Sequence, residues 1–343
     1  MKRTTHAIVL IICSMFGAGC KDMGAVPEPL KPGRRDYVWT LDTLRPRPGD
    51  NFYPARIWGS SPNDVWLACS GSPPLLWHFD GHTWSHDSTY RAIDPSALWG
   101  FTSNDIWLGN SFGSLWRYNG AQWYQHSTYS LPGFDRIAIE DIWGARPDDV
   151  WGVGFADQFN GGTQYQGTII HFDGSRWQFK PIPNIRASFF QIRQQSPSGW
   201  YFIKAERTEQ TSDSIKVYVY DGQSMLREIY SSDEHNVVIQ EVEGEVYFVI
   251  DQRIYKYNNN RFNVWRDFDR TAYLGWMLGR TEFDFFALQR APGGILHYNG
   301  TDMKIIYETT LSVWLGFILE KDAYFVLEDL ASNLTVVLHG QLQ

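Results

Sequence analysis

Cysteine is nearly absent, with three in 343 residues. Cys13 and Cys20 fall in the first twenty positions, so Cys69 stands alone in the body of the chain. A lone thiol forms no internal disulfide, and packing must hold the fold together. Its setting in Val65-Trp66-Leu67-Ala68-Cys69 reads as a strand with the thiol buried. Basic runs are missing too. The formal charge is −8, and a surface without a basic stripe excludes nucleic acid as a partner. No glycine loop is built to cradle phosphate, and no strand-to-helix elbow exposes a serine nucleophile. The nine histidines are scattered, without the paired spacing of a metal site. Neither a metal nor a cofactor is expected.

Only one apolar run stands out, Ala7 to Phe16, preceded by Lys2 and Arg3 and followed by Gly17-Ala18-Gly19-Cys20. Charge, apolar length and small residues before a cut make this an export signal, and the run is too short to span a membrane comfortably. The small-small-Cys ending resembles the bacterial lipoprotein signal. That resemblance implies cleavage after residue 19 and lipidation of Cys20, including an amide-linked acyl chain such as palmitate. Lys21, where an Asp would retain an enterobacterial lipoprotein at the inner membrane, implies the outer membrane, facing either the periplasm or the outside. Residues 20 to 36, rich in Pro, Gly and charge, read as a tether. Residues 37 to 343 read as one domain.

That domain is marked by a recurring tryptophan module. Its clearest copies run Ile57-Trp58-Gly59, Asn63-Asp64-Val65-Trp66, Phe79-Asp80-Gly81 and Trp84; then Leu98-Trp99-Gly100, Asn104-Asp105-Ile106-Trp107, Tyr118-Asn119-Gly120 and Trp123; then Ile142-Trp143-Gly144, Asp148-Asp149-Val150-Trp151, Phe172-Asp173-Gly174 and Trp177. In the first copy, Ala55 to Trp58, Val65 to Cys69, Leu75 to Phe79 and Thr83 to His86 read as four short strands separated by turn residues. Degenerate copies keep the phase at Tyr220-Asp221-Gly222, Tyr257-Asn258-Asn259, Tyr298-Asn299-Gly300 and His339-Gly340. The count is seven. Such repeats predict an all-β, seven-bladed propeller of four-stranded antiparallel blades. Gly340 falls before the last blade would gain its fourth strand, so Tyr37 to Leu41 are expected to supply that strand and close the ring.

The aromatic-Asp-Gly-x-x-Trp element, as in Asp80-Gly81-His82-Thr83-Trp84 and Asp173-Gly174-Ser175-Arg176-Trp177, resembles the Asp-box, or sialidase-type, repeats of exported bacterial propellers. Asn119-Gly120-Ala121-Gln122-Trp123 departs by one residue. The resemblance implies architecture and no activity.

Catalysis finds little support. A sialidase-like site would need converging arginines, yet the inner-strand positions are mostly Trp, Leu, Ile and Gly; Arg193 and Arg280 read instead as channel-lining or rim residues paired with acids, while Arg56 and Arg136 lie near inner strands. Glu140, Asp141 and Asp94 approach the axial mouth, but nothing in the sequence marks a raised pKa. His78, His171 and His297 recur at one third-strand position and read as repeated hydrogen-bonding groups, as do Asp64, Asp105 and Asp149. Phe155 to Gly167 and Lys204 to Ser214 are the largest departures from the compact module and read as loops on the face that carries the blade-to-blade connections. There Phe155, Asp157, Gln158, Phe159, Asn160, Gln164, Tyr165, Glu206, Arg207 and Glu209 mix aromatic area with hydrogen-bonding ends. The sequence therefore points to a non-catalytic, lipid-anchored propeller that acts as a protein interaction or assembly platform at the cell envelope. A glycan-binding or glycan-hydrolysing propeller is the alternative. Trp or Tyr converging with paired carboxylates in a concave mouth would favour the glycan.

Overall fold

The computed structural model describes residues 33–45, 47, 49–73, 75–86, 93–159, 164–208, 213–234, 236–268, 275–289, 293–329 and 334–343. The expected signal, Cys20, most of the tether, Asn160 and Glu209 lie outside them, and only the backbone of Arg207 is described.

Seven antiparallel sheets of four strands form the ring. After β1 (Tyr37–Leu44), blade 1 runs β2 (Asn51–Ser61), β3 (Asp64–Ser72), β4 (Leu75–Phe79) and β5 (Trp84–His86). Blade 2 is β6 (Pro95–Thr102), β7 (Asp105–Asn110), β8 (Ser114–Tyr118) and β9 (Trp123–Thr128); blade 3 is β10 (Arg136–Arg146), β11 (Asp149–Asp157), β12 (Tyr165–Phe172) and β13 (Trp177–Phe179). Blade 4 is β14 (Ser188–Gln194), β15 (Tyr201–Thr208), β16 (Asp213–Tyr220) and β17 (Leu226–Ser232). Blade 5 is β18 (Val237–Val242), β19 (Glu245–Ile250), β20 (Arg253–Asn258) and β21 (Arg261–Asp267). Blade 6 is β22 (Leu278–Thr281), β23 (Asp284–Leu288), β24 (Gly293–Tyr298) and β25 (Met303–Thr309); blade 7 is β26 (Ser312–Ile318), β27 (Asp322–Asp329) and β28 (Leu334–Leu342).

The last blade is completed by β1, antiparallel to β28 from Tyr37↔Leu342 to Leu44↔Thr335. Trp39 lies over Gly340, where a Cβ would sit 2.4 Å from the indole. Ahead of the strand, Arg35 reaches blade 6, donating to the carbonyls of His297 (2.9 Å) and Asp302 (2.7 Å) and pairing with the Asp302 carboxylate.

The repeated residues have separable duties. Trp58 covers Gly100 of the next blade, whose Cβ would approach the ring to 2.6 Å, and Phe317 stands over Gly59 in the same way. The Trp-Gly pair is thus a contact between blades. A second contact opens β3, where Asp64 Oδ1 accepts from Trp66 Nε1 (3.2 Å) and meets His78 Nε2 (2.7 Å) while the imidazole stacks on Trp66. Blade 3 repeats this with Asp149, Trp151 and His171, blade 6 with Asp284 and His297, and blade 7 with Asp322 and His339. Blade 2 substitutes Arg117 on Asp105. Each pair ties the second strand to the third within its own blade, so the repeated histidines are structural and separate.

Third-to-fourth turns are closed by one side-chain oxygen. Asp80 Oδ1 accepts from the backbone of His82 and Thr83, Asp173 Oδ1 from Ser175 and Arg176, and Asp221 Oδ1 from Gln223, Ser224 and Met225. Asn119 and Asn299 do the same with their amide oxygens, so the Asn departure costs no hydrogen bond. Backbone donors hold the Asp80 carboxyl below the usual range against burial, and at Asp221 burial pushes upward more than any one donor does but three backbone donors together outweigh it.

The described residues of both expected insertions prove to be mostly strand. β11 continues to Asp157 and pairs through Asp157↔Tyr165, and β15 continues to Thr208 opposite Asp213. Alternation persists through these segments, and the ladder extends because each added pair satisfies backbone groups that a loop would leave to water. The departure is a pair of tall hairpins.

Two outcomes follow. Gly100→Ala should lower stability by about 1–3 kcal/mol by overpacking against Trp58, read as a lower denaturant midpoint at unchanged slope. Deleting residues 36 to 44 should abolish the single cooperative transition, because it reopens an edge in blade 7; retention of that transition by calorimetry would show that closure lies elsewhere.

Candidate functional site

In an antiparallel blade, the second-to-third hairpins and the connections between blades emerge on one face. Three exposed aromatic side chains stand there on successive blades: Tyr53 (54% exposed) at the start of β2, Phe112 (61%) between β7 and β8, and Phe159 (66%) just beyond β11. The backbone beneath the two phenylalanines is pinned. Buried Asn110 accepts from Phe112 N (3.0 Å) and Ser114 N (2.7 Å), and Asp135 accepts from Phe159 N (2.6 Å). Exposed apolar area on fixed backbone lowers the entropy cost of binding.

The tall hairpin of blade 3 gathers six of the sequence candidates. Phe155 and Tyr165 stack at 5.2 Å, and the Arg136 guanidinium lies 5.2 Å from the Phe155 ring and 4.4 Å from that of Phe159. Arg136 also grips Asp157 through both ends of the carboxylate. Gln158 donates to the Gly133 carbonyl (2.9 Å), and its oxygen accepts from Gln164 N (3.3 Å). Burial pushes the Tyr165 phenol well up, helped by the charges of Asp157, Glu140 and Glu206. Glu206, on β15 in blade 4, pairs with Lys204 at 3.6 Å and also lines the channel.

The axial channel is a cavity of about 770 Å³ lined from all seven blades. Five inner strands carry an extra residue at the same height: Ala55, Ser96, Glu140, Phe190 and Trp314. Such bulges re-aim a side chain. Nothing in the hydrophobic pattern marks them, so sequence reasoning missed this ring.

Arginines near the channel go to different partners. Arg193 binds Asp141 (2.6 Å), which also accepts from Ile192 N; Arg280 donates to Leu319 O and Tyr37 Oη and lies 3.6 Å from Asp284. Arg56 reaches across blade 2 to the Glu140 carbonyl (2.6 Å). No arginine triad forms among the described residues. Burial raises the Glu140 carboxyl above its ordinary pKa against the pull of Arg56 and Arg136, a perturbation the sequence did not show.

No protein-family model matches this chain, and no curated protein resembles it in sequence. Solved structures do. The fold is similar to that of YCF48. A structure of YCF48 bound to D1 peptide superposes with a TM-score of 0.60 at 14% identity, covering 90% of this chain and 98% of that one. YCF48 from Cyanidioschyzon merolae gives 0.57 at 11%, covering 87% and 98%. At such identity the likeness to YCF48 concerns the fold.

Two measurements test these electrostatics. Asp141→Asn strands Arg193 in a largely buried position and should cost about 3–5 kcal/mol, more than the double change with Arg193→Gln. Glu140 binds its proton more tightly folded than unfolded, so its contribution to stability falls as pH rises from the unfolded through the folded pKa. Glu140→Gln should flatten that fall in a melting series from pH 4 to 7; an unchanged slope would place the titration elsewhere.

Proposed function

We propose that this chain is a protein-interaction propeller of the cell envelope, anchored through lipid on Cys20 and binding its partner on the hairpin face. The observation that carries this reading is the arc of Tyr53, Phe112 and Phe159 across three successive blades, with both phenylalanines on pinned backbone. Rigid aromatic anchors beside polar, hydrogen-bonded neighbours are what protein interfaces use. Asp157, Gln158, Gln164 and Tyr165 of the same hairpin supply the polar rim. A peptide bound to a propeller of similar fold supports the choice of partner class. The oxygen-capped turns support a relation to Asp-box repeats, and the small-small-Cys leader supports lipidation at the outer membrane.

The test is capture from native membranes with wild type and with Phe112→Ser/Phe159→Ser. One protein recovered reproducibly with wild type and lost with the pair, at unchanged melting temperature, is the expected result. Equal recovery by both sinks the assignment of this face. Separately, Cys20→Ser should release the protein from the membrane pellet; persistence there removes the lipid anchor from the proposal.

A further inference from the structure

The axial channel offers a second surface, of different chemistry. Its lining contains three cations, Arg56, Arg193 and Lys204, and three acids, Asp141, Glu206 and Glu241. Arg193 is matched to Asp141 at 2.6 Å and Lys204 to Glu206 at 3.6 Å. A wall balanced in this way gives no net attraction to an ion of either sign, and a charged ligand would have to break a pair to enter. Yet the wall is rich in polar groups that can still bond. Arg56 uses its guanidinium on two backbone carbonyls, Ala55 and Glu140, which leaves further N–H donors. Gln289 Oε1 has no hydrogen-bond partner among the described residues.

Aromatic faces complete the set. Most tryptophans here are occupied by packing: Trp58 and Trp143 are buried between blades. Trp314 is not. It occupies the bulge of β26, lines the channel and remains 44% exposed. Phe190 occupies the corresponding bulge of β14, three blades away on a seven-blade ring and so toward the opposite wall. Open aromatic rings on opposed walls, with paired charges and amides between them, suit a ligand that has apolar C–H faces and a rim of uncharged hydroxyls. The cavity, about 770 Å³, is in the size range of small-ligand sites.

We propose that the channel is a binding site for an uncharged oligosaccharide end, with Trp314 as its stacking platform and Arg56, Arg193 and Asp141 as its hydroxyl-binding groups. This site is separate from the aromatic arc, and its occupation needs no protein partner.

The experiment is calorimetric titration of the full chain with cellotriose, maltotriose, chitotriose and xylotriose, with sialyllactose as the anionic control. Saturable binding of at least one neutral trisaccharide, weaker binding of sialyllactose, and a loss of ten-fold or more in Trp314→Ala are expected. Trp314 is half-open, so that variant should melt with wild type, and a Phe159→Ser variant should bind sugar normally. Absence of saturation with all four neutral sugars at concentrations up to about 20 mM, well above a millimolar Kd, overturns the proposal. So does binding that Trp314→Ala leaves unchanged, or that favours sialyllactose.

Discussion

The pairing of β1 with β28 is the constraint on which the rest depends. Each of the other blades is built from one continuous stretch of chain, while blade 7 takes three strands from the end of the described fold and one from its beginning. Without that strand the ring is an open stack of seven sheets. The packing of Trp39 on Gly340, and of Tyr37 beneath Arg280, therefore fixes the channel as well as the seam. A cavity lined by every blade keeps its shape only if the circle is closed.

Neighbouring blades are joined by a different device. A bulky residue on one inner strand needs a glycine on the next, and the sequence writes the two side by side as Trp-Gly because each blade both gives and receives. Where the ring relaxes this rule, at Arg193 in blade 4 and Gln240 in blade 5, polar groups enter the channel wall. Degeneracy of the repeat in the second half of the chain thus adds Arg193 and Gln240 to the polar groups that Arg56 and Asp141 already bring to the wall.

Seven-fold order, the four-strand blade and the closing strand were legible because each rests on local signals: alternation, turn residues and a recurring aromatic. Leu75–Phe79, Glu245–Ile250 and Asp284–Leu288 are bounded by turn chemistry on both sides, and these strands begin and end where the pattern does. Phe155 to Gly167 and Lys204 to Ser214 misled because length beyond the module was read as loop, although the added residues keep pairing. The site was legible only in part. Phe155, Asp157, Gln158, Phe159, Gln164 and Tyr165 are local to one hairpin and could be grouped by position. Arg56 on Glu140, Trp314 and Phe190 are united by ring geometry across distant stretches, and a bulge leaves no trace in hydrophobic spacing.

The Arg35 contacts have a mechanical meaning. Any pull applied at the amino-terminal side of the fold meets the Arg35 guanidinium, held on His297 and Asp302 of blade 6, before it reaches β1. The load is thereby shunted into a neighbouring blade instead of peeling the closing strand from β28. Arg35 thus acts as strain relief ahead of the strand that closes the ring.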